Sequence, residues 1–585
     1  MERICGTNLM LLLLFCTNLC ILVADASNNE ARRPRYRRIL KKRRHQVQSA
    51  NIYSWPKVAL RSLSRKSPVF DKDKSSKPHI IYIIADDLGY NDVGYHGKRM
   101  GSIADTPAID ALAYSGVRLE NYYVQPSCTP TRASLLTGRY PIRLGLQVGN
   151  IEAPDPTCLP LRETTLPDKL RDLGYGTHAV GKWHLGFSRP ACLPTRRGFD
   201  SYFGIITGFA SHYDRNRNGI NSLYTNDTVE WGYDGIYSSE LYTQRTVDII
   251  KNHNSKKPLF LYLSHQAAHT PMEAPERYER DYQLNYPHVW NRIYDNKFGT
   301  KRKKYLGMVK SLDVSVHVVT ETLKETGMWN NTVLIFTSDN GGRGGGGGNN
   351  WPLRGKKNTL WEGGIKGVGF VHSPLLPIHV SGTVHKGLMH VSDWFPTLVE
   401  GVAGGVAKGP LVLDGRNMWP SISQGQSSPR REILHNIATP IRSKDTLDKQ
   451  GVMGWRERLI WGEPSNLSFN PTIKAAIRHG AFKLVTGPRG RQAGAWEPPP
   501  ETRRSSLPML AFDREDICIR LYNIDQDPLE KNNVAYKHPH AVHRLLRRLG
   551  FYDRKSKMPK RGVDRQAVPR IKKSGDRLAW RPWLA

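Results

Sequence analysis

Past its first 26 residues this chain contains only four cysteines, Cys128, Cys158, Cys192 and Cys518. Four thiols cannot staple a chain of 585 residues in the way small secreted domains are stapled, so the fold must rest on a hydrophobic core. The length permits a large core plus a smaller second domain. Beyond residue 23 no apolar run approaches the length of a helical bilayer span. There is no internal repeat, and the one low-complexity tract, "GGRGGGGG" at 341–348, reads as a mobile loop. Acid is also short: 52 Asp and Glu face 86 Lys and Arg, a net charge of +34.

What is present begins with an export signal. The run "LMLLLLFCTNLCILV" followed by Ala24-Asp25-Ala26 reads as a secretory signal peptide over 1–26, cleaved after Ala26. An oxidising compartment follows from it, in which some of the four cysteines pair. Three sequons, at Asn226, Asn330 and Asn466, are glycosylation sites for such a route. The basic excess is concentrated at two flanks, with 16 Lys/Arg against 3 acids in 27–77 and 14 against 3 in 544–585. On an exported protein this charge is expected to meet a sulfated glycan or an anionic proteoglycan surface, not nucleic acid. The competing reading is a solvated tail with no specific partner.

Order is expected from about Lys77. "HIIYIIAD" is a short, continuous, β-branched apolar run of the kind covered on both faces, and "PLFLYLS", "TVLIFTS" and "KGVGFV" repeat the pattern. Between them, Leu306, Val309, Leu312, Val316, Val319 and Leu323 recur at helical spacing, with Gly327 as a stop. Buried strands alternating with helices predict an α/β fold with a mainly parallel sheet. The pattern thins after about 425, where "AAIRHGAFKLVTG" and "IRLYNIDQDPLEKNN" read as antiparallel strands of a smaller α+β domain. The expected organisation is a basic, disordered segment over 27–76, a catalytic domain over 77–425, a smaller domain over 426–556 and a basic tail over 557–585.

Ligands of open α/β sheets bind beyond the carboxyl ends of the strands. Asp86 and Asp87 follow the first apolar run, and Asp339 and Asn340 follow "TVLIFTS". Two such pairs make an oxygen-only site for a hard divalent cation, although either pair alone describes many turns. "PLFLYLS" delivers His265 or His269 to the same rim, and "THAVGKWHLG" delivers Lys182 and His184. Cations and imidazoles facing a metal suit a doubly charged anion with several oxygens. Within "QPSCTPTRASLLTGRY", Thr129 reads as an N-cap and Pro130 as the first helical residue, with Gly138 as the stop. Cys128 therefore precedes a helix amino terminus, which suits a thiolate nucleophile as well as a structural cysteine.

"CTPTRASLLTG" resembles the C-x-P-x-R signature of the sulfatase family, and "GYGTHAVGKWH" resembles its second signature. The similarity runs from about His79 to Tyr552. "NNWPLRGKKNTLWEGG", "CLPTRRGFD" and "ILHNI" are most similar to the arylsulfatase B group with its arylsulfatase I and J relatives. The resemblance implies an alkaline-phosphatase-like fold and a Cys128 oxidised to formylglycine by the formylglycine-generating enzyme of the endoplasmic reticulum. It implies one Ca2+ held by Asp86, Asp87, Asp339, Asn340 and the modified Cys128. Arg132 and Lys182 then hold the formylglycine, His184 supports its hydrate, and His269 and Lys357 contact the sulfate and its leaving oxygen. The family's His-x-Pro context selects His269 over His265, and the distance to Glu362 selects Lys357 over Lys356. A disulfide between Cys158 and Cys192 matches a family pair, while Cys518 has no counterpart.

The function so implied is a sulfuric ester hydrolase of the secretory pathway, lysosomal or secreted. Its expected substrates are N-acetylgalactosamine 4-sulfate units of glycosaminoglycans, and aryl sulfates. One hydroxyl of a hydrated aldehyde attacks sulfur and the other expels sulfate as the aldehyde re-forms. The alternative is a secreted glycan-binding protein with weak or no catalysis. Phosphate or phosphonate ester hydrolysis is disfavoured because each position of the sulfatase pattern is intact.

Overall fold

Strand β1, His79–Ala85, is buried along its whole length, and its alternate side chains enter two different cores. Ile80, Tyr82 and Ile84 join one apolar cluster with Trp394, while Ile81 and Ile83 join another with Val309, Leu312 and Val316. Period-two alternation with both faces covered is why the run reads as continuously apolar. The computed structural model describes residues 77–285, 297–438, 453–487, 494–499, 501, 517–559 and 578–584. The signal peptide and the basic segment 27–76 lie outside these residues.

The main sheet has ten strands. In chain order they are β1, β2 (Val117–Leu119), β3 (Gly176–Gly181), β4 (Ser201–Ile205), β7 (Leu223–Thr225), β8 (Thr228–Val229), β9 (Leu259–Ser264), β10 (Thr332–Ser338), β11 (Gly369–His372) and β12 (Val384–His385). Two further short strands, β5 (Asn216–Arg217) and β6 (Ile220–Asn221), form a separate hairpin. The spatial order of the main sheet is β12-β2-β11-β10-β1-β9-β3-β4-β7-β8. Its centre, β10 through β4, is parallel, so the carboxyl ends of β1, β3, β9 and β10 share one rim. The run "KGVGFV" contributes β11, which is antiparallel to both β10 and β2.

Helices α1 (Pro107–Ser115), α2 (Cys128–Thr137), α3 (Ser238–Asn252) and α4 (Lys297–Glu325) flank the sheet. The six apolar positions singled out on α4 are all fully buried. Gly327 adopts positive φ just beyond that helix. Helix α2 differs from expectation at its start. Its N-cap is Ser127 and Cys128 is its first residue, whereas the Thr129 hydroxyl donates to the backbone carbonyl of His184 at 3.0 Å and accepts from the Ile151 amide. Either residue suits a cap by type, and the Thr129 hydroxyl is committed to another part of the chain.

The small antiparallel sheet orders β13 (Glu432–Ile437), β14 (Ala475–His479), β15 (Phe482–Thr486) and β16 (Ile519–Asn523), and helix α5 (Pro539–Asp553) closes its core. A buried ionic group joins it to the segment between β10 and β11: Lys483 Nζ donates to Glu362 there and to Glu530, each at 2.8 Å. Within the span read as a basic tail, Leu578–Ala579 form β17, which adds in parallel to β6. Trp580 is buried there, and the Trp583 and Leu584 amides donate to the Ser188 carbonyl at 3.0 and 2.9 Å.

Candidate active site

The chain leaves β1 through Asp86 and Asp87, with Asp87 at a φ of 56°. That left-handed turn is unusual for a residue other than glycine, and here the backbone is held. The Asp87 amide donates to Asp339 Oδ1 at 3.2 Å and Tyr305 donates to its carbonyl at 3.1 Å. Ser338 ends β10 beside Ala85, so Asp339 and Asn340 emerge next to the first pair. Asn340 Nδ2 donates to Asp87 Oδ1 at 2.8 Å. Lys182 follows β3 and reaches Asp86 Oδ2 at 2.6 Å.

Cys128 is fully buried among these groups. Its thiol lies 3.4 Å from Asp86 Oδ1 and accepts from Lys357 Nζ at 3.3 Å. Lys357 also donates to Asp87 Oδ1 at 2.5 Å. One turn along α2, Arg132 donates to Asp339 Oδ2 from Nε at 3.2 Å and from Nη2 at 2.9 Å, and to Ser264 Oγ and the Lys182 carbonyl from Nη1. His269 Nε2 stands 3.7 Å from Asp87 Oδ2. Its Nδ1 is 2.7 Å from the Thr270 carbonyl. A carbonyl only accepts, so Nδ1 carries the hydrogen and Nε2 presents its lone pair in the neutral ring. His184 also has positive φ and is buried, with its Nδ1 free of any hydrogen-bond partner among the described residues.

The electrostatics follow from burial and charge. Burial raises the Asp87 carboxyl, but Lys357 and His269 outweigh it and hold the group below the usual carboxylate range. Burial, then Lys182, Arg132 and Lys357, pull His184 well down. Burial brings His269 to about 3 against the pull of Asp87. The Cys128 thiol is pushed well up by burial and by Asp339, opposite to what a plain thiolate nucleophile needs.

Thus Asp86, Asp87, Cys128, Arg132, Lys182, His184, His269, Asp339, Asn340 and Lys357 come together from six separate stretches of chain. His265 does not join them, because its Nε2 pairs with Ser315 on α4 at 3.0 Å. Lys356 points away to Glu497 at 2.8 Å. Cys158 and Cys192 are disulfide-bonded, with Cα atoms 6.1 Å apart, and Cys518 is buried. The side chains of Asn226, Asn330 and Asn466 belong to exposed residues. The glycine tract expected as a mobile loop is mostly buried. A β-carbon on Gly341 would lie 1.9 Å from the Gly363 carbonyl oxygen, so close backbone packing accounts for glycine there.

Sequence reading missed the wall beside His269. Phe209 stacks on that imidazole at 5.6 Å and His212 Nε2 donates to the His269 carbonyl at 3.0 Å. The available signal was Asn218-Gly219, both at positive φ, a two-residue hairpin turn that joins β5 to β6.

The donor set fits a hard cation. Ligand atoms of Asp86, Asp87, Cys128 and His269 lie within 4.8 Å of one another, and Asp87 Oδ2 and Asn340 Oδ1 are buried oxygens without a hydrogen-bond partner among the described residues. Carboxylates, lysines, arginine and imidazoles around one buried residue at the rim of a parallel sheet suit an enzyme that hydrolyses an anionic ester. The sulfatase family model matches residues 78–404, and the chain belongs to that family. It is 44% identical to arylsulfatase J of Mus musculus over 87% of this chain and 81% of that one. It is 31% identical to the N-acetylgalactosamine-6-sulfatase of Homo sapiens over 60% and 67%. The crystal structure of Ps i-CgsB superposes with a TM-score of 0.66 at 27% identity, covering 84% of this chain and 96% of that one. The protein is a sulfatase, a hydrolase of sulfate esters.

Proposed function

We propose that this sulfatase works through a formylglycine made from Cys128 and a bound calcium ion, and that it desulfates a glycan, with N-acetylgalactosamine 4-sulfate units as the first candidate. The observation that carries the reading is the fully buried Cys128, at the first turn of α2, between Asp86 and Lys357. Asp86, Asp87, Asp339 and Asn340 would hold the calcium, with the modified Cys128 beside them. The ion supplies positive charge next to the sulfate oxygens, and the formylglycine hydrate supplies the oxygen that attacks sulfur.

The chain's own residues do the rest. Lys357 and Lys182 present ammonium groups to a sulfate seated over Cys128, in a buried setting where such charges act strongly. Arg132 fixes Asp339 from two nitrogens and sets the carboxylate's orientation. His269 holds its Nδ1 hydrogen on Thr270, so Nε2 is the atom that would take up a proton when the sulfate's negative charge is bound beside it, and would pass that proton to the departing sugar oxygen. His184, whose Nδ1 has no hydrogen-bond partner among the described residues, would take a proton from the residue at 128.

A glycan substrate is supported by the relative named for N-acetylgalactosamine 6-sulfate and by the structure of Ps i-CgsB in complex with k-i-k-neocarrahexaose. Domains over 77–425 and 426–556, glycans at Asn226, Asn330 and Asn466, a lysosomal or extracellular destination and proteoglycan contact by the basic flanks belong to the same reading. Mass spectrometry of the tryptic peptide Leu119 to Arg132 from secreted protein tests the modification. An aldehyde in place of the thiol is expected; an intact cysteine in cells that modify their other sulfatases overturns it. Release of sulfate from 4- and 6-sulfated N-acetylgalactosamine oligosaccharides then tests the substrate, and turnover of aryl sulfates alone overturns the glycan assignment.

A further inference from the structure

Arg217 ends β5 and places its guanidinium 4.2 Å from the centre of the Phe209 ring, the same ring that stacks on His269. A cation on an aromatic face is held in place without being neutralised. Its acceptor is Glu152, 2.6 Å from Nη2, and Nη1 has no hydrogen-bond partner among the described residues. The Glu152 side chain is 57% exposed against 15% for Arg217, so the carboxylate comes from solvent and the cation from the wall. Both ends are tied to the site. Glu152 lies next to Ile151, whose amide donates to Thr129 on α2, and Asn150 accepts from the Thr129 amide at 3.0 Å.

Arg217 is also braced from behind. In the hairpin it pairs with Ile220, and Leu578 of β17 pairs with the same Ile220 from the other side. A two-residue hairpin is marginal by itself, and a third strand gives it a fixed position. The chain thus uses its last described residues to hold one arginine at the wall next to His269.

We propose that Arg217 is a second anion subsite, which binds a carboxylate or sulfate on the sugar adjoining the one that loses its sulfate, with Glu152 as the group that the incoming anion displaces. The proposal rests on the glycan reading above. A guanidinium whose one acceptor is an exposed carboxylate exchanges it for a substrate anion, and the charge selects substrates without touching the reacting atoms.

The experiment uses the full-length secreted protein and three oligosaccharides with the same sulfated terminal sugar. The adjoining residue is a uronate in the first, a sulfated hexosamine in the second and an uncharged hexose in the third. The readout is the ratio of KM for each charged partner to KM for the uncharged one, within each variant. Arg217→Gln is expected to raise that ratio about tenfold, the scale of one charge-assisted hydrogen-bonded contact. Arg217→Lys recovers part of it, and Glu152→Gln lowers it. A change with the uronate alone, or with the sulfated neighbour alone, names the anion. A ratio that stays constant in Arg217→Gln and Glu152→Gln, even with all substrates slowed, overturns the proposal and leaves the pair as a tie between loops. If wild-type protein cleaves none of the three, the glycan reading has failed, and the same ratio is taken from inhibition of p-nitrocatechol sulfate turnover. Absence of inhibition by all three overturns both.

Discussion

The His184 imidazole fills the space where Gly208 has no side chain: a β-carbon at Gly208 would stand 2.3 Å from His184 Nε2. The imidazole would have to move by about 1 Å to restore van der Waals contact, and a displacement of that size costs on the order of 100-fold in rate. Gly208→Ala is therefore expected to lower kcat by about that factor while the melting temperature changes little. Equal kcat in the two proteins would show that His184 takes no part in the chemistry.

Arg132 and Asp339 are both fully buried and face each other through two hydrogen bonds. Removing one partner leaves an uncompensated charge in the interior, at a cost of roughly 3–5 kcal/mol. Arg132→Ala should show this loss in urea unfolding as well as loss of activity. Cys128→Ala removes no charge and should keep its stability while losing turnover. Similar stability for the two variants would contradict the structural role given to Arg132.

Two orphaned oxygens in the site predict a response to chelation. Calcium at about 100 times its dissociation constant adds roughly 2.7 kcal/mol to the folded state. Exhaustive chelation should lower both activity and melting temperature, and calcium should restore both. Full activity in a protein shown by elemental analysis to be metal-free would remove the ion from the mechanism.

Asp313 provides a pH effect away from the site. It lies on α4 and accepts from the Ile109 amide in the first turn of α1 at 2.8 Å, where Thr106 makes no side-chain cap. Burial outweighs this bond and pushes the carboxyl up to about 7. The folded protein therefore binds a proton there that the unfolded chain has lost above its ordinary value near pH ~3.9. Stability from this residue is complete below that value and falls as pH rises toward 7, by a few kcal/mol at ~1.36 kcal/mol per unit. Asp313→Asn should flatten the stability profile between about pH 4 and 7. Parallel profiles for the two proteins would remove Asp313 as the source.

Deleting residues 578–585 should lower stability by about 3–5 kcal/mol through loss of buried Trp580. It should also raise KM for charged oligosaccharides more than for p-nitrocatechol sulfate. A truncated chain with unchanged stability and KM values would mean that β17 supports neither the core nor the hairpin.

The central strands and both acidic pairs were legible because a strand covered on two faces writes a continuous apolar run and ends in polar residues at the rim. The direction of β11 was not, since "KGVGFV" would read the same in either orientation. At the carboxyl end Trp580 and Trp583 sit among basic residues, so composition gave no sign of β17 within the span read as a basic tail. Arg217 was invisible for a different reason. Its place depends on Phe209, Glu152 and Leu578, which lie far apart in sequence and carry no common pattern.

Cys128 has no exposed surface in the folded protein, and His269 and Lys357, which follow β9 and β10, stand beside its sulfur. On the formylglycine proposal, the enzyme that oxidises this thiol would have to reach it before those strands close the sheet. Ribosomes add about 5–20 residues each second, and roughly two hundred residues separate Cys128 from the end of β10, so synthesis alone leaves a window of roughly 10–40 s. On the same proposal, a substitution that speeds closure of the sheet would shorten that window, and fewer active molecules would emerge.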